Sequence, residues 1–370
     1  MKKILIAPNS FKESASSVEA AYFFQKYLPS DQYQLIVKPI SDGGDGFLSV
    51  CKKNYDLQII TFTVPSAYSE QISIEVPVGY SPQFKTIFIE SADVLGLKKI
   101  PLAHRNPMSL NSVGLGELLN KIKFRFKHVD LNKIIIGIGG TGTIDMGIGV
   151  LSSFGLKLID SSGEVLSPIP KNFLLASEII YPSDLYPYKI EFIIDVNNPL
   201  LGENGGIKVY GSQKGASESE LAEIENGIIN ILSIFEKDGL NSYNSFLSGA
   251  GGGVPAGLSV FLKTYLKSAN EFIFDDLNIR ELHDIDYLIT GEGKFDSQSI
   301  HNKGAGILLN QFQNIEKIFL CCGIIDKNIN FTPKVYPIQF IDFFKNIEES
   351  SNNIELCIKF ACNKIHQIIS

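Results

Sequence analysis

Five loops along the chain set carboxylates, lysines and small polar side chains beside one another, three of them with glycine. They are Asn9-Ser10-Phe11-Lys12, Ser41-Asp42-Gly43-Gly44-Asp45-Gly46, Gly139-Gly140-Thr141 with Asp145 just beyond, Asp195-Val196-Asn197-Asn198-Pro199, and Gly291-Glu292-Gly293-Lys294-Phe295-Asp296. Each follows a short apolar run. Glycine lets a backbone approach a ligand closely, and the amides that open a following helix favour anions. One such loop is commonly just a turn; five from separated parts of the chain are hard to explain that way. Acids, lysines and amide-rich loops suit phosphoryl transfer, where catalysis rests on positioning and on neutralising charge around Mg²⁺. Other chemistries lack their parts. There is no G-x-S-x-G nucleophile loop, no G-x-x-x-x-G-K-[ST] phosphate loop, and neither H-R-D nor D-F-G. Of the histidines, His104, His128, His283 and His366 read as surface or internally satisfied groups, and His301 alone lies near a candidate loop.

One competing pattern needs weighing. Gly137, Gly139 and Gly142 spell G-x-G-x-x-G, and Asp160 ends the next apolar run where a ribose-binding acid would stand. Taken alone this is a dinucleotide fingerprint, and it keeps an oxidoreductase in view.

The elements that must carry these loops alternate between strand and helix at both ends. Ile4–Ala7 and Leu35–Ile40 read as strands around a helix over 16–28, with Ser16 as cap and Glu19 completing a capping box. Gln58–Val64, Gln71–Val78 and Thr86–Glu90 read as hairpin strands. A helix is expected over 112–123, strands at Ile134–Gly137 and Leu156–Asp160, a strand at Ile190–Asp195, and helices over 218–238 and 254–268. Tyr287–Thr290, Ile318–Cys322 and Val335–Ile338 restore the parallel pattern. The expectation is α/β: two α/β domains, a Rossmann-like parallel-sheet domain from both chain ends (1–60 and 284–370) with a mixed-sheet domain of β-hairpins and Gly-rich loops (61–283) inserted.

Bulk properties fit an enzyme of small molecules. The chain has 370 residues, 44% hydrophobic and 20% charged, enough for two cores. Its net charge of −7 and only three arginines (Arg105, Arg125, Arg280) argue against a nucleic-acid partner. The opening MKKILIAPNS has too short an apolar run for a signal peptide, and no segment reaches the ~20 apolar residues of a membrane span. Cysteines without C-x-x-C spacing, Cys321 and Cys322 adjacent among them, fit buried thiols in a reducing cytoplasm.

The ordered motifs resemble those of the bacterial glycerate kinases of the first type, related to the enzymes of glucarate and glyoxylate catabolism. The family's I-A-P-D-S-F-K-G-S stands as Ile6–Ser14 with Asn9 for the acid, and P-M-A-D-G-G-E-G-T as Pro39–Phe47. Arg105-Asn106-Pro107 matches R-N-P, and G-G-S-A-T-N-D-G-G becomes Gly139–Gly147 with Ile144 and Met146. D-V-x-N-P-L-L-G is Asp195–Gly202, F-G-x-Q-K-G-A is Tyr210–Ala216, and G-A-A-G-G-x-G-A-G-L is Gly249–Leu258. Ile289–Lys303 follows I-T-G-E-G-[RK]-x-D-x-Q-[ST]-x-x-G-K, with Asn302 for glycine. The likeness runs from residue 4 to about 325 and sets the dinucleotide reading aside.

The resemblance implies an ATP- and Mg²⁺-dependent kinase acting on D-glycerate, with the 2-hydroxyl as acceptor; a homodimer stays open. Arg105, the arginine inside a family motif, is expected to grip the glycerate carboxylate bidentately, with Ser10 and Asn198 as further substrate contacts. Gly139, Gly140 and Thr141 would cradle either nucleotide phosphates or the substrate carboxylate, and Gly291 and Gly293 are further phosphate-loop candidates. Lys12, Lys214 and Lys294 would neutralise the transferring phosphoryl group. Asp195 is assigned as base, and Asp42, Glu292 and Asp296 as Mg²⁺ ligands, with Asp296 the alternative base. Asn9, Ile144 and Met146 depart from motifs expected to face ligand. They leave a kinase of a related hydroxy-acid, or a ligand-binding relative without catalysis, as the alternatives.

Overall fold

Apolar runs from both chain ends build one parallel sheet. Its strands lie in the order Val335–Gln339, Lys317–Cys322, Tyr287–Thr290, Lys2–Ile6, Tyr33–Val37. Such strands are covered on both faces and so are apolar throughout: Ile4, Leu5 and Ile6 are all fully buried. The two-residue period then sorts their side chains. Ile4, Ile6, Ile289, Phe319 and Cys321 join one core with Phe24, Phe340, Ile358 and Ile365, whereas Leu320 and Cys322 join another with Phe295 and Ala305. Helices Ser17–Tyr27 and Ile354–Ile369 cover the first face. The former begins in the expected capping box, Ser16 accepting from the Glu19 amide while Glu19 accepts from the Ser16 amide. Successive strands run outward on either side of the pair Lys2–Ile6 and Tyr287–Thr290. Their following loops therefore flank a topological switch point, where open α/β sheets bind ligands.

The computed structural model describes residues 1–12, 14–183, 186–240, 248–300, 304–344 and 346–370. It divides into a terminal unit, 1–54 with 268–370, and an inserted unit, 55–267. The second boundary falls at 267/268 rather than near 284 because the turns after Ser268 belong to the terminal core. Phe272 is fully buried and packs on Phe47 with ring centroids 5.2 Å apart, and Lys38 donates to the Leu277 carbonyl at 3.2 Å.

The inserted unit carries a mixed sheet in the order Thr264–Ser268, Ile190–Ile194, Lys133–Gly137, Thr86–Glu90, Ser69–Ser81, Gln58–Ser66. Ile190–Ile194, Lys133–Gly137 and Thr86–Glu90 are parallel, and the two long hairpin strands are antiparallel. Helices Val113–Arg125 and Glu218–Lys237 supply Leu115, Leu118, Ile224, Ile228 and Ile231 to its core. The helix expected over 254–268 stops at Ser259, and Thr264–Ser268 is instead a strand beside Ile190–Ile194. The β-branched and aromatic Thr264 and Tyr265 favour that edge position, and the Ile190 amide donates to the Lys263 carbonyl at 3.0 Å. The fold is thus α/β in both units, a parallel sheet from the chain ends and a mixed sheet inserted between them.

Candidate functional site

In the terminal unit, three strand-end loops meet through a buried polar cluster. Asn9, two residues past Ala7, is 5% exposed and donates from Nδ2 to Asp42 at 3.1 Å; its own Oδ1 accepts from the Ser10 amide at 2.9 Å. Glu292 follows the central strand and is 8% exposed. Its carboxylate accepts from the Ser299 hydroxyl, the Ala305 amide and Asn9. Burial, reinforced by the charge of Asp42, outweighs these donors and pushes the Glu292 carboxyl up to about 7. Gly304 closes the cluster with φ +48°, and a Cβ there would lie 2.2 Å from a Glu292 oxygen. Only glycine fits. Gly293 rests against the Phe11–Lys12 backbone, which brings the first and last motifs together. Gly291 is held tighter still, a Cβ being 1.6 Å from the Cys321 carbonyl oxygen.

Beside this cluster opens a cleft of about 290 Å³ lined by Ser10, Lys12, Ser14, Ser16, Asp45 and Gly46, among others. Lys12 is exposed on its rim. Lys294 is also exposed, its ammonium 3.5 Å from Asp296. Of the three expected metal ligands, Asp42 and Glu292 share the Asn9 bridge and Asp296 pairs with Lys294. Among the described residues no group of three or more His, Cys, Asp or Glu side chains is gathered as a metal cage.

In the inserted unit the strand Lys133–Gly137 delivers the loop Gly139–Thr141. Ser91 donates to the Gly139 carbonyl at 3.2 Å, Leu97 to that of Gly140 at 3.0 Å, and Gly140 takes φ +67°. Lys214, 7% exposed, donates to the Thr141 hydroxyl at 3.2 Å and the Thr143 carbonyl at 3.0 Å. Burial pushes its ammonium down to about 8, against the opposing pull of Asp145. The strand Ile190–Ile194 stops one residue before Asp195, which follows it and is half-buried. Both ends of the Asn198 amide are taken within its own unit, one donating to Asn204 and the other accepting from the Tyr210 hydroxyl, each at 2.8 Å. Arg105 is half-buried, and its Nε donates to the Ile100 carbonyl at 2.8 Å.

Two sequence readings change here. Ile144 and Met146, expected to face ligand, are 1% and 0% exposed and belong to the hydrophobic core. Met146 packs so closely on Gly257 that a Cβ there would lie 1.7 Å from its carbonyl oxygen. Of the three departures only Asn9 sits in a polar cluster. Asp145 also turns inward, at 0% exposure, instead of lining the loop surface. The dinucleotide pattern dissolves as well: Asp160 lies in a separate three-stranded sheet and accepts from Ser162 and Glu164 of its own turn. His301 lies outside the described residues. Sequence reasoning gave no role to Ser299, although it stands at the [ST] position of the Ile289–Lys303 motif, and it missed Ser112 and Gly304, since a lone serine or glycine outside a dense loop gives no signal before the fold closes around it.

Comparison with known proteins gives one consistent answer. The model of the Glycerate kinase family matches residues 4–369. Glycerate 2-kinase of Escherichia coli K12 is 36% identical over 312 residues, covering 81% of this chain and 79% of that protein. A glycerate kinase of Halalkalibacterium halodurans is 34% identical over 316 residues, covering 82% and 80%. A crystal structure assigned as glycerate kinase 2 from Salmonella typhimurium LT2 superposes with a TM-score of 0.76 at 27% identity, covering 99% of this chain and 98% of that one.

Proposed function

The chain belongs to the glycerate kinase family, and from that premise we propose that it transfers the γ-phosphoryl group of ATP to the 2-hydroxyl of D-glycerate. What carries the proposal is that the family match, residues 4–369, takes in every one of the glycine- and acid-bearing strand-end loops. In the transfer, the glycerate oxygen bonds to the γ-phosphorus while the bond to the β,γ-bridging oxygen breaks. ADP leaves, and the hydroxyl proton passes to a carboxylate.

Asp195 is our choice for that base: it directly follows a buried strand, which anchors its position at the end of the sheet. Lys12 and Ser10 line a cleft large enough for a three-carbon hydroxy-acid, and Lys12 has its charge directed to solvent-accessible space where a phosphoryl group can reach it. Lys294 shares that task within the terminal unit, and Arg105 grips the glycerate carboxylate with the guanidinium nitrogens beyond Nε. In the inserted unit, Gly139, Gly140, Thr141 and Lys214 form the phosphate-binding loop; Gly291 and Gly293 hold the corresponding backbone approach in the terminal unit.

Mg²⁺ fits this donor set in its usual nucleotide mode, with one or two carboxylates and the remaining positions filled by phosphate and water. Asp42 and Asp296, both half-buried, would hold it, and it would neutralise phosphate charge. Glu292, its oxygens engaged by Ser299, Ala305 and Asn9, braces Asp42 from behind. No described helix is long and apolar enough to cross a membrane. All five cysteines are free and buried, which supports a reducing cytoplasm as the compartment.

Isothermal titration tests the reading. ATP with Mg²⁺ and D-glycerate should bind and turn over, and Asp195→Asn should keep ATP binding while losing most turnover. Tight NADH binding without ATP binding would overturn the kinase assignment. Loss of ATP affinity in Asp195→Asn would exchange the roles of Asp195 and Asp296.

A further inference from the structure

The carboxylate of Asp145 is fully buried and has no place in the chemistry above, yet four hydrogen bonds converge on it. It accepts from the Ser112 amide and hydroxyl, both at 2.7 Å, and from the Gly147 and Gly149 amides, both at 3.2 Å. All four bonds are donated to the carboxylate, and the Ser112 hydroxyl accepts in turn from the Val150 amide at 3.1 Å. Burial outweighs these donors, so the Asp145 carboxyl sits above the ordinary carboxylate pKa. The bonds tie together two elements far apart in sequence. Ser112 precedes the helix Val113–Arg125 with its hydroxyl turned to Asp145, while Gly147 and Gly149 open the helix Ile148–Ser153. Gly149 is pressed into this junction, where a Cβ would stand 2.6 Å from the Ser112 nitrogen and 2.9 Å from the carboxylate.

Asp145 also acts electrostatically on Lys214, which is bonded to Thr141 and Thr143 of the same loop. The other charged groups on elements packed around Lys214 are engaged elsewhere. Arg105 donates to Ile100, Lys208 pairs with Glu203 and Glu225, and Glu220 accepts from Ser217 and Asn106. Glu218, in the first turn of the next helix, is exposed.

We propose that Asp145 is a positioning residue for phosphoryl transfer: it pins the Asp145–Gly149 turn to Ser112, next along the chain from the Thr141 and Thr143 that hold Lys214, and supplies the counter-charge for that lysine. This rests on the reading that Lys214 and Gly139–Thr141 bind phosphate. With Lys214 near pKa 8, the neutral amide introduced by Asp145→Asn removes the one attraction opposing burial, and the lysine loses its proton at lower pH. A fall of ~1 unit leaves about threefold less charged Lys214 at pH 7.5.

The test compares Asp145→Asn, Ser112→Ala and Lys214→Met as full-length enzymes, reading kcat and KM for ATP across pH 6–10 alongside Tm. Lys214→Met should lose turnover or raise KM for ATP at every pH. Asp145→Asn should move the alkaline limb of the profile down by ~1 unit. Ser112→Ala, which keeps the charge, should lower Tm yet leave that limb in place. An unmoved limb in Asp145→Asn with an impaired Lys214→Met overturns the positioning role alone. An unimpaired Lys214→Met overturns the phosphate reading beneath it. If Asp145→Asn does not fold, Lys214→Arg decides: a side chain that keeps its proton must carry the alkaline limb upward, and an unchanged limb overturns the proposal.

Discussion

Replacing Glu292 by Gln should flatten the pH dependence of stability, and the size of the effect can be worked out. The Glu292 carboxyl has a pKa of about 7 in the fold against 4.5 for the free side chain. A carboxyl raised on folding favours the native state while protonated and costs stability as pH climbs through the interval between the two values. Between pH 5.5 and pH 8 the linkage integral for these pKa values is about 2 kcal/mol of stability lost. Glutamine has no such titration. It brings its own penalty, because its amide nitrogen would face the Ala305 and Asn9 donors, about 1–3 kcal/mol for an unmet donor pair. That penalty does not change with pH. Urea unfolding of wild type and Glu292→Gln at pH 5.5 and pH 8 in metal-free buffer therefore separates the two effects. The mutant's stability relative to wild type should be about 2 kcal/mol more favourable at pH 8 than at pH 5.5. Parallel pH curves for the two proteins would refute the claim that Glu292 is buried as a near-neutral titrating acid.

Three further outcomes follow from the geometry. Lys12→Met should lower kcat on the order of 10²-fold or more with Tm unchanged, since the side chain is exposed and its charge faces the cleft; steady-state kinetics read this directly. Arg105→Lys should raise KM for glycerate well beyond any change in KM for ATP, because lysine cannot present a planar fork. Gly291→Ala places a methyl group 1.6 Å from the Cys321 carbonyl oxygen, backbone against backbone. It should destabilise by ~1–3 kcal/mol or more, read as a lower urea midpoint.

Much of the architecture was legible because its signals are local. The Ser16 and Glu19 capping box, the apolar run Ile4–Ile6 and the hairpin strands around residue 70 each follow from short-range periodicity and cap chemistry. The helix over 254–268 failed for the opposite reason. Its C-terminal half is a strand only because the edge beside Ile190–Ile194 is available, which no local window reveals. The strand-end loops were legible as a set through their glycines and acids. Which way each side chain points was not. Asp145 shares a loop with Thr141 yet is turned into the core by Ser112, a residue 33 positions away, and Ile144 and Met146 follow it inward. Asn9 reads as a lost acid in the sequence; in the fold its amide links Asp42 to Glu292, a bridge that needs two donor hydrogens where a protonated carboxyl has one.

The central claim is phosphoryl transfer to glycerate, and one reaction tests it most directly. The purified protein, incubated with D-glycerate, ATP and Mg²⁺ and followed by ³¹P and ¹H NMR, should consume ATP and yield 2-phosphoglycerate with ADP in equal amounts. ATP left intact beside unchanged glycerate, under conditions where both ligands bind, would contradict the account; 3-phosphoglycerate as product would contradict its assignment of the 2-hydroxyl.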